Sequence, residues 1–283
     1  MNRRLYPTGG KTAGCNRLAA LALALLFPLP AGAASLEANY DISLLGLKIG
    51  VAEVKADVEA GRYKLDIWSK LTGLAGMITS GKGAASASGN ISGNRILPAT
   101  FAVTTANSEK SVTVRMALAG GSVRAVEIKP PIEPRPDRIP LTEQNKRGVV
   151  DPLSALLMPA ALNEPYATAA CDRTIPVFDG ATRFDVKLSY ARVETLRSPA
   201  YNGPAAVCNA RYLPIAGHRP DRSATKFMEE NKDMQAWLVP IGDARIFMPY
   251  RISVRTPIGT TVIEATRFNV DGQPVPERQR ARN

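Results

Sequence analysis

Few side chains in this 283-residue chain are suited to nucleophilic or acid–base chemistry. The single histidine, His218, sits in the turn-rich stretch Ala216-Gly217-His218-Arg219-Pro220. Histidine can serve as a general base or a pH sensor. No ordered partner set surrounds this one, so a surface-loop role is expected. One histidine excludes a His-rich metal site, and three cysteines cannot build a zinc site of four thiolates. Carboxylates gather in two places. Asp172, Asp179 and Asp185 lie near Arg173 and Arg183, and Glu229, Glu230 and Asp233 lie beside Lys226 and Lys232. Two carboxylates suffice for glycoside hydrolysis, which makes Asp179, Asp185 and Glu229 the acid/base candidates of a cell-wall glycan hydrolase. Their spacing marks no tuned pair, and solvated mixed-charge faces explain them better. The chain contains no Gly-x-Ser-x-Gly elbow, HExxH, GxxxxGK[ST] or GxGxxG. We therefore assign no catalytic residue, no metal ligands and no cofactor, and the sequence names no ligand-binding residue.

The first residues read as an address. Arg3, Arg4, Lys11 and Arg17 precede a short apolar run from Leu18 to Leu29, and Ala31-Gly32-Ala33 follows it. A basic segment, a short apolar run and a small-x-small site describe a secretory signal peptide over residues 1–33. Thr12-Ala13-Gly14-Cys15 lies before the apolar run, whereas a lipoprotein box lies after one. No later stretch approaches 18 continuous apolar residues, so no transmembrane segment is expected after cleavage. The periplasm is the expected destination.

Export changes the charge and the cysteine count. A leader with four basic and no acidic residues lowers the formal charge from +11 to +7. It also removes Cys15, leaving Cys171 and Cys208. An even pair in an oxidising compartment is most simply one disulfide, the alternative being two buried thiols. The remaining basic residues are dispersed among acids and aromatics make up only 6%. No basic-aromatic strip is present, so nucleic acid is not an expected partner.

The elements that would position any site are strands. Period-two alternation runs through Tyr63–Leu71, Val112–Leu118, Arg183–Tyr190 and Tyr250–Arg255, each a half-buried antiparallel strand. Weaker strands fit 38–45, 49–58, 83–91, 100–105, 123–128, 174–178, 206–213, 236–239 and 261–270. Short turns at Ala60-Gly61, Gly93-Asn94, Gly120-Gly121, Asp179-Gly180 and Pro257-Ile258-Gly259 read as hairpin connections. After Tyr190 the apolar phase slips, which predicts a bulge near Ala191. Helices are few. Asp151-Pro152-Leu153-Ser154-Ala155-Leu156-Leu157-Met158 has an N-cap, a proline at the first position and one apolar face. A shorter candidate covers Leu71–Thr79.

A proline-rich segment over 129–148 divides the strands into two sets. It is either a linker between domains or an excursion from one continuous curved sheet. The second is favoured, because neither set alone can cover both faces of a sandwich. The expected fold is mainly β: a curled antiparallel sheet, an open or half barrel, with one or two short helices. It would form a single β domain over 34–272, and the basic tail over 273–283 would be disordered.

Several segments together resemble the DUF3108 family of exported bacterial proteins. They are Tyr40-Asp41-Ile42-Ser43-Leu44-Leu45-Gly46-Leu47-Lys48-Ile49-Gly50, Leu71-Thr72-Gly73-Leu74-Ala75, Asp151-Pro152-Leu153-Ser154-Ala155, Pro176-Val177-Phe178-Asp179-Gly180, Pro214-Ile215-Ala216-Gly217, and Pro249-Tyr250-Arg251-Ile252 with Thr256-Pro257-Ile258-Gly259. The positions of Cys171 and Cys208 fit the same pattern. The resemblance implies a β-rich envelope protein and carries over no catalytic residue. The leading expectation is a non-enzymatic periplasmic protein of the cell envelope. It would shelter a lipid or a lipoprotein segment in an apolar groove. The alternatives are a scaffold binding an envelope protein partner and, third, the glycan hydrolase.

Overall fold

The computed structural model describes residues 34–59, 61–73, 76, 81–160, 166–242 and 246–270. The expected signal peptide and basic tail lie outside these residues, as does most of the candidate helix at 71–79.

The strands are β1 Ala34–Leu44, β2 Leu47–Glu59, β3 Arg62–Leu71, β4 Lys82–Ser92, β5 Arg95–Ala106, β6 Ser111–Ala119, β7 Ser122–Lys129, β8 Met158–Pro159, β9 Arg173–Phe178, β10 Arg183–Arg197, β11 Asn202–Ala216, β12 Met234–Ile241, β13 Ile246–Thr256 and β14 Gly259–Val270. Short helices α1 Tyr166–Cys171 and α2 Ser223–Glu230 and a 3-10 turn at Glu143–Lys146 lie between strands. All fourteen strands join one antiparallel sheet in the order β7-β6-β5-β4-β3-β2-β1-β14-β13-β12-β11-β10-β9, with β8 pairing β13 to one side. Both strand sets thus belong to one sheet, joined where β1 pairs with β14.

The sheet curls but is not closed into a barrel. Its edge strands, β7 and β9, do not pair with each other; residues 147–150 lie between them. Ser122 bridges Arg147, and Val150 forms a parallel bridge with Val177. The Val149 amide donates to the Gly121 carbonyl at 3.0 Å, and the Val150 amide to that of Pro176 at 2.9 Å. Pairing both edges through one short segment leaves less of each ladder open to a foreign strand.

The proline-rich segment packs against the end of β11. Ile139 exchanges backbone hydrogen bonds with Gly217 and His218, at 2.8 and 2.9 Å. The Arg138 guanidinium donates to the Gly217 carbonyl at 2.6 Å, and Arg219 pairs with Asp137 at 2.6 Å. His218 accordingly sits in a turn that anchors this segment.

The main core is lined by alternate residues of most strands, among them Leu36, Val54, Leu65, Phe101, Val207, Trp237, Val239 and Phe268. The central strands bury their other face as well. Ala206, Cys208, Ala236, Leu238 and Phe247 form a second cluster with Met158 and Leu188. Burial on both faces explains the unbroken apolar runs 236–241 and 246–250. The expected bulge is present, as the β10–β11 register shifts between Tyr190 and Arg192.

One expected element differs. Asp151 to Met158 does not form a helix: only a single 3-10 turn, Ser154–Leu156, is made, and Met158-Pro159 enters the sheet against Ile246-Phe247. Pairing with β13 captures the chain before a second turn can form, and so short a segment has little helical stability of its own.

Candidate functional site

The groove is built from positions that share one face of β9–β13. Ladder pairing places Ile175 opposite Val186 and Val186 opposite Tyr212. It likewise sets Leu188 opposite Ala210, Ala236 opposite Ile252, and Met234 opposite Val254. Side chains opposite each other in an antiparallel ladder lie on the same face, so these residues make a continuous apolar wall. Segment 152–158 covers it with Pro152, Ala155, Leu156 and Met158, and Met228 of α2 also lines it. The groove stays partly open to solvent and measures about 280 Å³. Phe184 and Tyr212 sit side by side on the wall with tilted rings, their centroids 5.1 Å apart.

A buried polar cluster sets the covering segment. Oδ1 of Asp151 accepts the amides of Leu153 and Ser154, at 3.0 and 2.9 Å. Its Oδ2 accepts the Ser154 hydroxyl. The Ser154 and Tyr63 hydroxyls lie 2.7 Å apart. Asp151 and Ser154 are fully buried. Desolvation pushes the Asp151 carboxyl above its ordinary value, against the hydrogen bonds that pull it down. Burial likewise raises the Tyr63 phenol. The single turn held this way faces two directions. Leu153 and Leu157 enter the main core, Ala155 lines the groove, and Leu156 lines the groove while also packing against the main core.

The back of the groove is held covalently. Cys171 at the end of α1 is bonded to Cys208 of β11 with an S–S distance of 2.08 Å, and both are fully buried. The second cluster joins the disulfide to Leu188, Ala236 and the half-buried Ile175, Val186 and Ala210.

The wall offers no set of polar groups to orient a polar ligand. Arg211, Gln235 and Ser253 border the groove from alternate strand positions. The Arg211 guanidinium donates to the Glu229 carbonyl at 3.0 Å, and the Gln235 amide donates to Asn209 at 2.9 Å.

None of the acid/base candidates lines the groove, and the carboxylates of Asp179, Asp185, Asp233 and Asp172 have local partners. Asp179 accepts the amides of Ala181 and Thr182 and the Thr182 hydroxyl, which makes it the cap of the β9–β10 turn. Asp185 pairs with Arg183 at 2.7 Å and Asp233 with Arg255 at 2.9 Å. Asp172 accepts the Tyr190 amide at 2.8 Å. Asp179 and Glu229 come nearest to sharing a neighbour. After burial, both oppose ionisation of the Tyr212 phenol. Among the described residues no cluster of His, Cys, Asp or Glu could hold a metal ion. No helix among them is long and apolar enough to cross a membrane.

The groove residues carry a faint sequence signal. Methionine at 228 and 234, and alanine at 210 and 236, stand on the apolar phase of strands or helix where larger branched residues would fill space.

The family model described as "Protein of unknown function (DUF3108)" matches residues 39–266. A comparison with curated proteins gives no match. Among solved structures, the fold resembles a crystal structure from Brucella abortus, described as a β-barrel-like protein of domain of unknown function DUF1849. The TM-score is 0.53 at 10% sequence identity, covering 84% of this chain and 98% of that one.

Proposed function

We propose that this chain, which belongs to the DUF3108 family, is a non-enzymatic protein of the cell envelope that shelters one acyl chain of a lipid or lipoprotein in its groove. The observation that carries this reading is the wall itself. Five strands and the 152–158 segment line about 280 Å³ with apolar side chains. Pockets for drug-sized ligands run from about 300 to 1,000 Å³ and place a few polar groups to orient their ligand. A smaller groove without such groups suits one slim hydrocarbon chain. The Cys171–Cys208 disulfide is consistent with an oxidising compartment such as the periplasm.

Titration with the fluorescent fatty acid cis-parinaric acid tests the reading. The native chain should raise its fluorescence saturably. Ala210→Trp, at a half-buried position whose indole would fill the groove, should abolish the rise. Ser189→Trp, at the next position of the paired strand and exposed, should leave it unchanged. Equal responses from all three chains would overturn the proposal.

A further inference from the structure

We propose that the tips of the β1–β2 and β13–β14 hairpins form an apolar knob that seats this protein on an anionic lipid bilayer. Leu45, Leu47 and Ile258 are 69%, 68% and 71% exposed; among the described residues the other exposed large apolar side chains reach only 49%. The three residues belong to neighbouring tips. The Leu45 amide donates to the Thr260 carbonyl at 3.0 Å. Leu45 holds a left-handed φ of 52°, rare for a leucine, and Gly46 follows at 81°. This turn lays the Leu45 side chain over Gly259, where an added Cβ would collide with it. The knob is therefore a fixed arrangement rather than three unrelated side chains.

Its surroundings are cationic. Lys48 follows Leu47 and pairs with Asp41 at 2.6 Å. Lys70 and Lys82 face each other across β3 and β4 at the same end of the sheet. Both are exposed, and neither makes an ion pair among the described residues. Lys70 also stands over the half-exposed Trp68 ring, 5.2 Å from its centroid. Like charges directly opposite each other in a ladder disfavour the fold, and a phosphate-bearing surface would relieve them. Apolar side chains at the headgroup boundary with lysines beside them are the pattern of peripheral binding to anionic lipid. A second copy of the chain is the poorer occupant. Three side chains fall far short of the ~800 Å² per partner of a stable protein interface.

This proposal does not depend on the groove. The test places Leu47→Trp in the full chain, with the unsubstituted chain as background for Trp68 and Trp237. Vesicles are pure phosphatidylcholine, or phosphatidylcholine with equimolar phosphatidylglycerol, each with and without brominated acyl chains. The added indole should shift to shorter wavelength and be quenched by brominated lipid only on vesicles containing phosphatidylglycerol. Lys70→Gln and Lys82→Gln should each weaken partitioning about 5-fold, the equivalent of ~1 kcal/mol per basic residue. Three outcomes would overturn the proposal: an indole that stays unquenched while the chain binds, equal response on both vesicle types, or a blue shift that grows with protein concentration in the absence of vesicles.

Discussion

The hydroxyl oxygens of Tyr63 and Ser154 lie 2.7 Å apart in the main core, and through them β3 holds the segment that covers the groove. Gly89 provides the room. A Cβ there would come within 2.8 Å of the Tyr63 hydroxyl and closer still to the Leu97 carbonyl. Tyr63→Phe removes one buried hydrogen bond but leaves Ser154 bonded to Asp151. It should lower the unfolding free energy by about 1 kcal/mol. Gly89→Ala displaces backbone as well and should cost about 2–3 kcal/mol. Urea unfolding reads both as a lower midpoint at unchanged slope. A Gly89→Ala midpoint equal to that of the native chain would show that the close approach is not needed.

The raised Asp151 carboxyl has an unusual consequence for pH. Its folded value lies above its unfolded value, so the folded state holds the proton more tightly. This group's contribution is fully present below the unfolded value near ~3.9 and is lost as pH rises through the folded one. Asp151→Asn cannot titrate there. The stability of the native chain minus that of the variant should therefore fall as pH rises through that window. Taking the difference cancels carboxylates of opposite sign, such as Glu194, which the Trp237 indole and Arg192 hold below the ordinary value. A difference that is flat or rises with pH would contradict the assignment.

The Cys171–Cys208 bond closes a separation of 37 residues. By chain entropy a loop of that length contributes about 4 kcal/mol. A Cys171→Ala, Cys208→Ala chain should be less stable by about 2–4 kcal/mol, read by thermal or urea unfolding. The loss should match that of the native chain under reductant. If reductant leaves the native chain's stability unchanged, the bond does not contribute.

The sequence reveals the strands better than the site. Alternation marks most strands because one face is wetter than the other; β12 and the start of β13, buried on both faces, read as unbroken apolar runs instead. The phase slip after Tyr190 shows in sequence because a bulge moves side chains to the opposite face, and the register does shift between Tyr190 and Arg192. The helix expected from Asp151 does not form. Its N-cap signal is real, since Asp151 accepts two amides, yet the path of the chain beyond Ser154 is decided by pairing with β13, about ninety residues away. The Leu45-Gly46 turn lies inside a segment that reads as strand up to Leu45, and a left-handed leucine gives no compositional warning. The groove depends on non-local register: Ile175, Val186, Tyr212, Ala236 and Val254 share a face only once five strands are paired. The carboxylates invite an acid/base reading in sequence, but turn capping and ion pairing occupy Asp179 and Asp185.

Binding of an acyl chain in the groove is read at its own wall by nuclear magnetic resonance of methionine methyl groups. Met158, Met228 and Met234 line the groove, while Met116 and Met248 lie in the main core. With [methyl-13C]methionine incorporated, titration with dodecanoate should shift the first three resonances saturably and leave the last two in place. If all five stay still, or Met116 and Met248 move as much as Met158, Met228 and Met234, the groove is not where an acyl chain binds.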